Sequence, residues 1–123
     1  MLDLIIKNGS CYIDKDLKDQ DIAIKDGKII KIGKIDNEAK EVFDAKGLTV
    51  LPGCIDTQTH FREPGSTNTE DLHSGSRAAI VGGITSVFEM PNTNPPTSTK
   101  IEFQKKLDLA KNRMYCNYAF YFG

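Results

Sequence analysis

Residues 54–90, CIDTQTHFREPGSTNTEDLHSGSRAAIVGGITSVFEM, decide the fold of this protein. The two ends of this stretch, CIDTQTHF and the β-branched ITSVFEM, have the composition of short strands. The segment between them predicts a helix, with Thr69 as a suitable N-cap and Glu70-Asp71 at the positive end of the helix dipole. Gly82-Gly83 can end that helix. The order strand–helix–strand predicts a right-handed parallel βαβ unit.

The same pattern repeats toward residue 123. STKIEFQKKLDLAKNR, residues 98–113, predicts a second helix, in which Thr99 and Glu102 fit a capping box. MYCNYAFYFG, residues 114–123, predicts a third strand. A sheet of three parallel strands has two open edges, which soluble proteins usually cover. We therefore expect residues 51–123 to be the first three strands and two helices of an incomplete (β/α)8 TIM-type barrel, a fold of about 250 residues.

Residues 1–50 predict a small antiparallel β unit ahead of the barrel strands. DLIIKNG and QDIAIKDGKIIKIG are rich in Ile, and Asp26-Gly27 lies between two alternating apolar runs. Asp-Gly at such a position is a strong hairpin signal, because both turn residues must tolerate positive φ. KEVFDAKGLTVLPG adds a further strand pair, broken at Lys46-Gly47. The expected fold class is therefore α/β.

The charge of the chain argues against two classes of partner. The 123 residues include 16 basic and 17 acidic side chains, which gives a formal net charge of −1. Such a balance provides no net field to attract nucleic acid or an anionic membrane. We expect the local basic pair Lys105-Lys106 to lie on the solvated face of a helix. No apolar run approaches the roughly 18 residues of a membrane span, and the N-terminus lacks the features of a signal peptide.

The cysteine pattern predicts free thiols. Cys11, Cys54 and Cys116 are far apart in the sequence and odd in number, and none belongs to a C-x-x-C pair. This pattern is typical of reduced thiols in the cytoplasm rather than of a disulfide framework or a zinc knuckle. We therefore expect a cytoplasmic protein.

In the first barrel strand, strict alternation separates a polar set of side chains from a β-branched set. The polar set is Asp56, Gln58 and His60. The β-branched set is Ile55, Thr57 and Thr59. The β-branched set suits packing against the outer helices, so we expect the polar set to point into the barrel.

Polar residues also follow the ends of two neighbouring strands. His60 and Arg62 lie at or beyond the end of the first barrel strand, and Asn92, in MPNTNPPT, follows the second. Active sites of (β/α) barrels form at the carboxyl ends of their strands. We therefore expect the two loops to converge on one small volume.

Three stretches together resemble one family. PGCIDTQTHFREPG, TEDLHSGSRAAIVGGIT and EMPNTNPPT, in this order and spacing, resemble the N-terminal third of a dihydroorotase of the long bacterial type, in the amidohydrolase superfamily. The leading strands, residues 1–50, resemble the β-sandwich part that flanks the barrel in that family. Allantoinases and dihydropyrimidinases share the general plan. The pairing of Arg62, directly after HF, with Asn92 of MPNT is the feature that resembles dihydroorotase.

The resemblance implies that Arg62 and Asn92 bind the substrate carboxylate. Dihydroorotate and carbamoyl aspartate both carry a carboxylate, and a guanidinium offers a planar fork that matches it, while an amide side chain adds a donor. Simpler explanations exist for both residues. Arg62 could form a salt bridge with Glu63 or another loop acid, and Asn92 could serve turn formation next to proline.

The resemblance also implies a zinc site in which His60 is a ligand. The other ligands in the family come from later strands, as does the aspartate that acts as the base, so no catalytic residue is assigned within these 123 residues. Gln58 departs from the Asp-x-His-x-His pattern, and an amide oxygen is a poor zinc ligand. Asp56 could compensate as an oxygen ligand or could anchor a neighbouring loop. We expect Glu89 to be a buried, paired carboxylate and His73 to be a surface residue.

The function implied is that of a dihydroorotase, which interconverts dihydroorotate and N-carbamoyl-L-aspartate in de novo pyrimidine biosynthesis. Its expected partners are this small-molecule substrate and either a second copy or aspartate transcarbamoylase. Gln58 leaves open a non-catalytic, dihydroorotase-like scaffold for aspartate transcarbamoylase, and a third alternative is another cyclic amidohydrolase. Arg62 and Asn92 favour the enzyme, because a scaffold needs no carboxylate-binding pair. We expect the 123-residue chain alone to be inactive.

Overall fold

The computed structural model describes all residues, 1–123, and the chain divides into two compact units, Met1–Pro52 and Gly53–Gly123. Neither helix of the chain is long and apolar enough to cross a membrane. All three cysteines are free thiols, as predicted.

The first unit is a five-stranded sheet. Its strands are β1 (Leu2–Ile13), β2 (Asp16–Lys25), β3 (Lys28–Gly33), β4 (Ala39–Asp44) and β5 (Thr49–Val50). The order is β3-β2-β1-β4, and β5 also pairs with β1. The predicted hairpin is confirmed: β2 and β3 are antiparallel, and Asp26 and Gly27 have φ of 51° and 70°. The small core of this unit consists of Leu2, Ile5, Ala23 and Ile35.

The prediction of a purely antiparallel unit is wrong. β4 and β5 do not pair with each other across the Lys46-Gly47 turn; both pair in parallel with β1, one after the other. Strand β1 has 12 residues and is long enough to accept β4 along its first half and β5 along its second. The sheet is therefore mixed.

The second unit has the predicted strand–helix–strand–helix–strand order. Its elements are β6 (Cys54–Thr59), α1 (Leu72–Val81), β7 (Ile84–Glu89), α2 (Lys100–Ala110) and β8 (Asn117–Phe120). The three strands are parallel, in the order β6-β7-β8. Their core consists of Phe61, Leu72, Val87, Ala110 and Cys116. The unit is thus an α/β arrangement with the carboxyl ends of all three strands at one edge.

The first helix begins later than predicted. Its N-cap is Asp71, not Thr69: the Asp71 carboxylate accepts from Ser74 N at 2.6 Å, and Asp71 N donates to Ser74 Oγ at 3.1 Å. Thr69 N donates instead to Ser66 O, within a turn that precedes the helix. A reciprocal cap satisfies two backbone donors at once, and this fixes the start of α1 at Leu72.

The second helix begins as predicted, with half of the expected capping box. Thr99 Oγ1 accepts from Glu102 N at 3.1 Å. The Glu102 carboxylate does not return to the N-cap and instead accepts from Lys105 Nζ at 2.9 Å. One end of α2 is therefore closed by a hydroxyl cap and a surface ion pair.

The predicted sorting of side chains along β6 holds only in part. Thr59 is buried and its hydroxyl donates to Phe88 O at 3.2 Å, but Ile55 is 61% exposed. The register of β6 against β7 shifts between Asp56 and Thr59. Strict alternation assumes an unbroken ladder, and such an irregularity interrupts it, which is why the β-branched set does not pack as a whole against the helices.

Candidate functional site

The loops that follow β6 and β7 come together, as predicted. Met90 N donates to Thr59 O at 2.9 Å, and Asn94 N donates to Pro64 O at 3.0 Å. Gly65 has φ of +121°, and a Cβ at this position would lie 2.9 Å from Asn94 Cβ. A larger residue at Gly65 would therefore both strain the backbone and push the two loops apart.

A hydrogen bond joins the two loops at the candidate metal ligand. His60 Nδ1 lies 2.9 Å from Asn92 Oδ1. An amide oxygen only accepts, so Nδ1 is the donor in this contact and Nε2 is the ring nitrogen left free for a metal. That is the state in which a histidine binds a metal, with its second ring nitrogen oriented by a polar neighbour. The amino group of Asn92 remains available as a donor.

Arg62 is exposed and has no acidic partner. It belongs to the loop after β6, and its backbone lies in the left-handed region with φ of 64°. The simpler explanation, a salt bridge from Arg62 to Glu63 or another loop acid, is wrong: none of the ion pairs of the structure includes Arg62, and Glu63 is paired with Arg113. Non-glycine residues in this backbone region are uncommon and cluster at functional sites.

Glu63 is fixed by a contact that the sequence did not reveal. Arg113 donates from Nη1 to Glu63 Oε1 at 2.9 Å and from Nη2 to Oε2 at 3.1 Å. Glu63 Oε2 also accepts from Leu72 N at 2.8 Å, and Asp71 lies 3.5 Å from Arg113 Nη2. The hydrogen bonds from the guanidinium to Glu63 raise the pKa of Arg113. Arg113 follows α2, so this network holds the loop after β6 against both helices.

Glu89 and Lys106 form a buried ion pair. Their side chains are 1% and 0% exposed, and Lys106 Nζ lies against Glu89 Oε2, which has no hydrogen-bond donor besides this contact. Burial raises the pKa of Glu89, and the Lys106 ammonium opposes that rise. The expectation for Glu89 is confirmed. The expectation that Lys106 lies on a solvated helix face is wrong, because only its neighbour Lys105 is exposed.

The other candidate ligands are placed less clearly for metal binding. Asp56 is half-buried, and its Oδ1 accepts from Gln58 N at 2.9 Å, while Gln58 itself is exposed. His73 is exposed, as expected, and its Nε2 lies 3.2 Å from the Tyr115 hydroxyl. No group of three or more His, Cys, Asp or Glu side chains is close enough together to hold a metal ion. Within this chain, His60 is therefore the one candidate ligand that the geometry orients.

Known proteins similar to this chain are amidohydrolases. An L-hydantoinase (dihydropyrimidinase) from Arthrobacter aurescens superposes with a TM-score of 0.89 and 36% identity over 100% of this chain and 28% of its own. A D-hydantoinase from Thermus sp. gives a TM-score of 0.79 and 30% identity over 96% and 27%. An allantoinase of Escherichia coli O1:K1 / APEC is 46% identical over 113 residues, which are 91% of this chain and 25% of the relative.

The chain thus spans about a quarter of the length of the curated relatives that it matches. The model of the amidohydrolase family matches residues 49–123, which include every element of the second unit. These similarities and the geometry of the two loops lead to one conclusion: the chain belongs to the amidohydrolase family.

Proposed function

We propose that this chain is the N-terminal part of a metal-dependent hydrolase of cyclic amides, and that its substrate ring carries a carboxylate, as dihydroorotate does. The similarity to an allantoinase and to hydantoinases supports ring opening of a cyclic amide. In this proposal, residues 1–50 contribute strands to a flanking β-sandwich. Residues 51–123 begin a (β/α)8 barrel that the rest of the protein completes.

The observation that supports a carboxylate on the substrate is the unpaired guanidinium of Arg62. The adjacent acid, Glu63, is already neutralised by Arg113, so it does not compete for Arg62. An exposed, unpaired arginine in a loop of the site is suited to two-pronged binding of a carboxylate. Asn92, on the facing loop, adds amide donors next to His60. These two residues would orient the ring for hydrolysis.

The residues present fit one part of a zinc site. His60 would provide Nε2 as a ligand, since Asn92 holds its other nitrogen. Gln58 and Asp56 remain secondary candidates, because one offers a neutral amide oxygen and the other already accepts a backbone hydrogen bond. The remaining ligands and the base would come from the rest of the protein. The chemistry that zinc supplies in such sites is polarisation of a carbonyl and activation of water.

A second candidate substrate is allantoin, which the 46% identity to an allantoinase favours. Allantoin has no carboxylate, so Arg62 would have no anionic group to bind in that case. Hydrolysis of dihydroorotate should therefore depend on Arg62, whereas hydrolysis of allantoin should not.

The test uses the full-length protein, assayed with dihydroorotate, carbamoyl aspartate, allantoin and hydantoin. We expect turnover of dihydroorotate, and we expect Arg62→Lys to lower kcat/KM, mainly through KM, because lysine cannot form the two-pronged contact. One lost hydrogen bond to a charged group, about 1.5–3 kcal/mol, corresponds to a loss of about 10- to 150-fold. The matched control is Arg77→Lys, an exposed arginine of α1 without an ion pair, which should change nothing.

Three results would contradict parts of the proposal. Preferred turnover of allantoin, with Arg62→Lys and Arg62→Ala unchanged, would exclude the carboxylate-binding role. Unchanged kinetics of both variants with dihydroorotate would exclude Arg62 as its ligand. No turnover of any cyclic amide would leave the scaffold for aspartate transcarbamoylase, to which Gln58 points, as the better explanation.

A further inference from the structure

Lys106 makes four contacts from a fully buried position in α2. Besides the ion pair with Glu89, its ammonium donates to Met90 O at 3.1 Å and to Thr97 Oγ1 at 3.2 Å. The ammonium also lies 5.3 Å from the centre of the Phe120 ring, within the range of a cation–π interaction. One cation thereby joins α2 to the ends of both β7 and β8.

Two of these contacts fall at opposite ends of one loop. Met90 begins the loop between β7 and α2, Thr97 lies near its other end, and Asn92 lies between them. Thr97 is 1% exposed, and its N donates to Pro91 O at 2.9 Å, so the far end of the loop is itself folded back on its start. Lys106 thus closes the loop that places the Asn92 oxygen on His60 Nδ1.

Stability alone is a weak explanation for this arrangement. A buried ion pair can often be replaced by apolar residues with no loss of stability, because desolvation of the two charges offsets their attraction. The ammonium here also satisfies a carbonyl and a hydroxyl that belong to a single functional loop. Its partners are therefore those expected of a group that sets the position of that loop.

We propose that Lys106 is a positioning residue for the candidate active site. It holds residues 90–97 so that Asn92 keeps the proton of His60 on Nδ1 and leaves Nε2 as the ligand atom. The placement of the loop follows from this chain alone, whereas its consequence for catalysis rests on the proposed function.

The variants must separate positioning from folding. Lys106→Met alone leaves the Glu89 carboxylate buried and unpaired. This would destabilise the protein whatever the role of the ion pair. The double variant Glu89→Gln/Lys106→Met removes both charges and keeps side chains of similar size, so it should fold while the loop loses its contacts with the Lys106 ammonium. Thr97→Val removes one acceptor of Lys106 and leaves the ion pair intact. The matched control is Lys105→Met, which removes an exposed lysine bound only to Glu102.

The first measurement is the tautomer of His60 by ¹⁵N NMR of the metal-free, full-length protein, recorded in mildly alkaline buffer. A His60→Gln variant assigns the signal. We expect the Nδ1–H tautomer in the unmodified protein and in Lys105→Met. We expect a mixture of both tautomers in Glu89→Gln/Lys106→Met and a smaller change of the same kind in Thr97→Val.

The second measurement is kcat/KM of the zinc-loaded protein with the cyclic amide that it hydrolyses. Loss of a residue that orients a metal ligand typically costs about 10- to 100-fold. We expect a loss of this size in the double variant, with a thermal midpoint close to that of the unmodified protein.

An unchanged Nδ1–H tautomer in the double variant would overturn the positioning role, whatever the kinetics show. If the double variant does not fold, Thr97→Val decides by the same two readouts, and an unchanged tautomer there overturns the role. If the unmodified protein hydrolyses no cyclic amide, the proposed function fails, and the tautomer measurement alone still decides whether Lys106 positions the loop.

Discussion

Arg113→Met should loosen the loop after β6, because it removes the guanidinium that binds Glu63. The two hydrogen bonds lost at Glu63 measure 2.9 and 3.1 Å, and the Leu72 amide remains as a donor to Glu63. The substitution also removes the hydrogen bond to Leu109 O at 3.0 Å and the 3.5 Å contact with Asp71. A hydrogen bond to a charged group contributes about 1.5–3 kcal/mol, so the two at Glu63 contribute at most about 3–6 kcal/mol. The Arg113 side chain is 34% exposed, and water replaces part of the contact. We therefore expect a local loss of about 2 kcal/mol.

Native-state hydrogen exchange of the full-length protein measures this loss, because amides in residues 60–75 exchange when the loop opens locally. A loss of about 2 kcal/mol corresponds to about 30-fold faster exchange. Glu63→Gln should have a similar effect, and the double variant Glu63→Gln/Arg113→Met should be less than additive, since both changes remove the same contact. Lys111→Met, at an exposed lysine without an ion pair, is the matched control. Exchange in Arg113→Met equal to that of the control, or full additivity in the double variant, would refute the reasoning.

Three further predictions concern single positions. Gly75→Ala would place Cβ 2.4 Å from the Phe61 ring, and this overpacking should destabilise the protein by about 1–3 kcal/mol in urea unfolding. The control is Gly82→Ala, whose Cβ would lie 3.5 Å from the nearest atom. Equal urea midpoints of the two variants would contradict the clash. In the full-length protein, Gln58→His should raise the zinc retained after mild chelation from about one ion per chain toward two, because imidazole binds zinc better than an amide oxygen does. Two equally tight ions in the unmodified full-length protein would contradict this. The Ser74 amide holds the pKa of Asp71 below its ordinary 3.8, so the stabilisation by this cap is fully present above about 3.8 and is lost as the pH falls through the lowered pKa. The protection of the amides at the start of α1, relative to their intrinsic exchange rate at each pH, should therefore fall in acid, and an equal acid response in Asp71→Asn would contradict the assignment.

Local patterns predicted the order of elements in the second unit and the hairpin at Asp26-Gly27. Both depend on signals within a few residues, such as turn chemistry and the composition of strands and helices. The convergence of the two loops followed from a topological rule for parallel strands. These parts of the fold could therefore be read from the sequence before any long-range contact was known.

The features that were missed depend on residues far apart in the chain. β4 and β5 both pair with β1, and the sequence of a strand does not by itself determine which other strand it pairs with. Glu63 and Arg113 are 50 residues apart, and no periodic pattern links them. Lys106 resembles its exposed neighbour Lys105 in sequence, and only the packing of α2 on β7 distinguishes them. In the sequence, only the position of Glu89 near the end of an apolar strand indicated that a buried basic side chain would be needed as its partner.

Both loops of the candidate site depend on one stretch of chain, α2 and the turn that follows it. Lys106 holds the loop after β7, and Arg113 holds the loop after β6. An α-helix turns by about 100° per residue, so deletion of a single residue early in α2 would swing Lys106 out of the core and displace Arg113 as well. Substitutions on the exposed side of α2 should be tolerated one by one, whereas a change in its length would disorganise both halves of the site together. The length of this helix is therefore under stricter constraint than most of its surface composition.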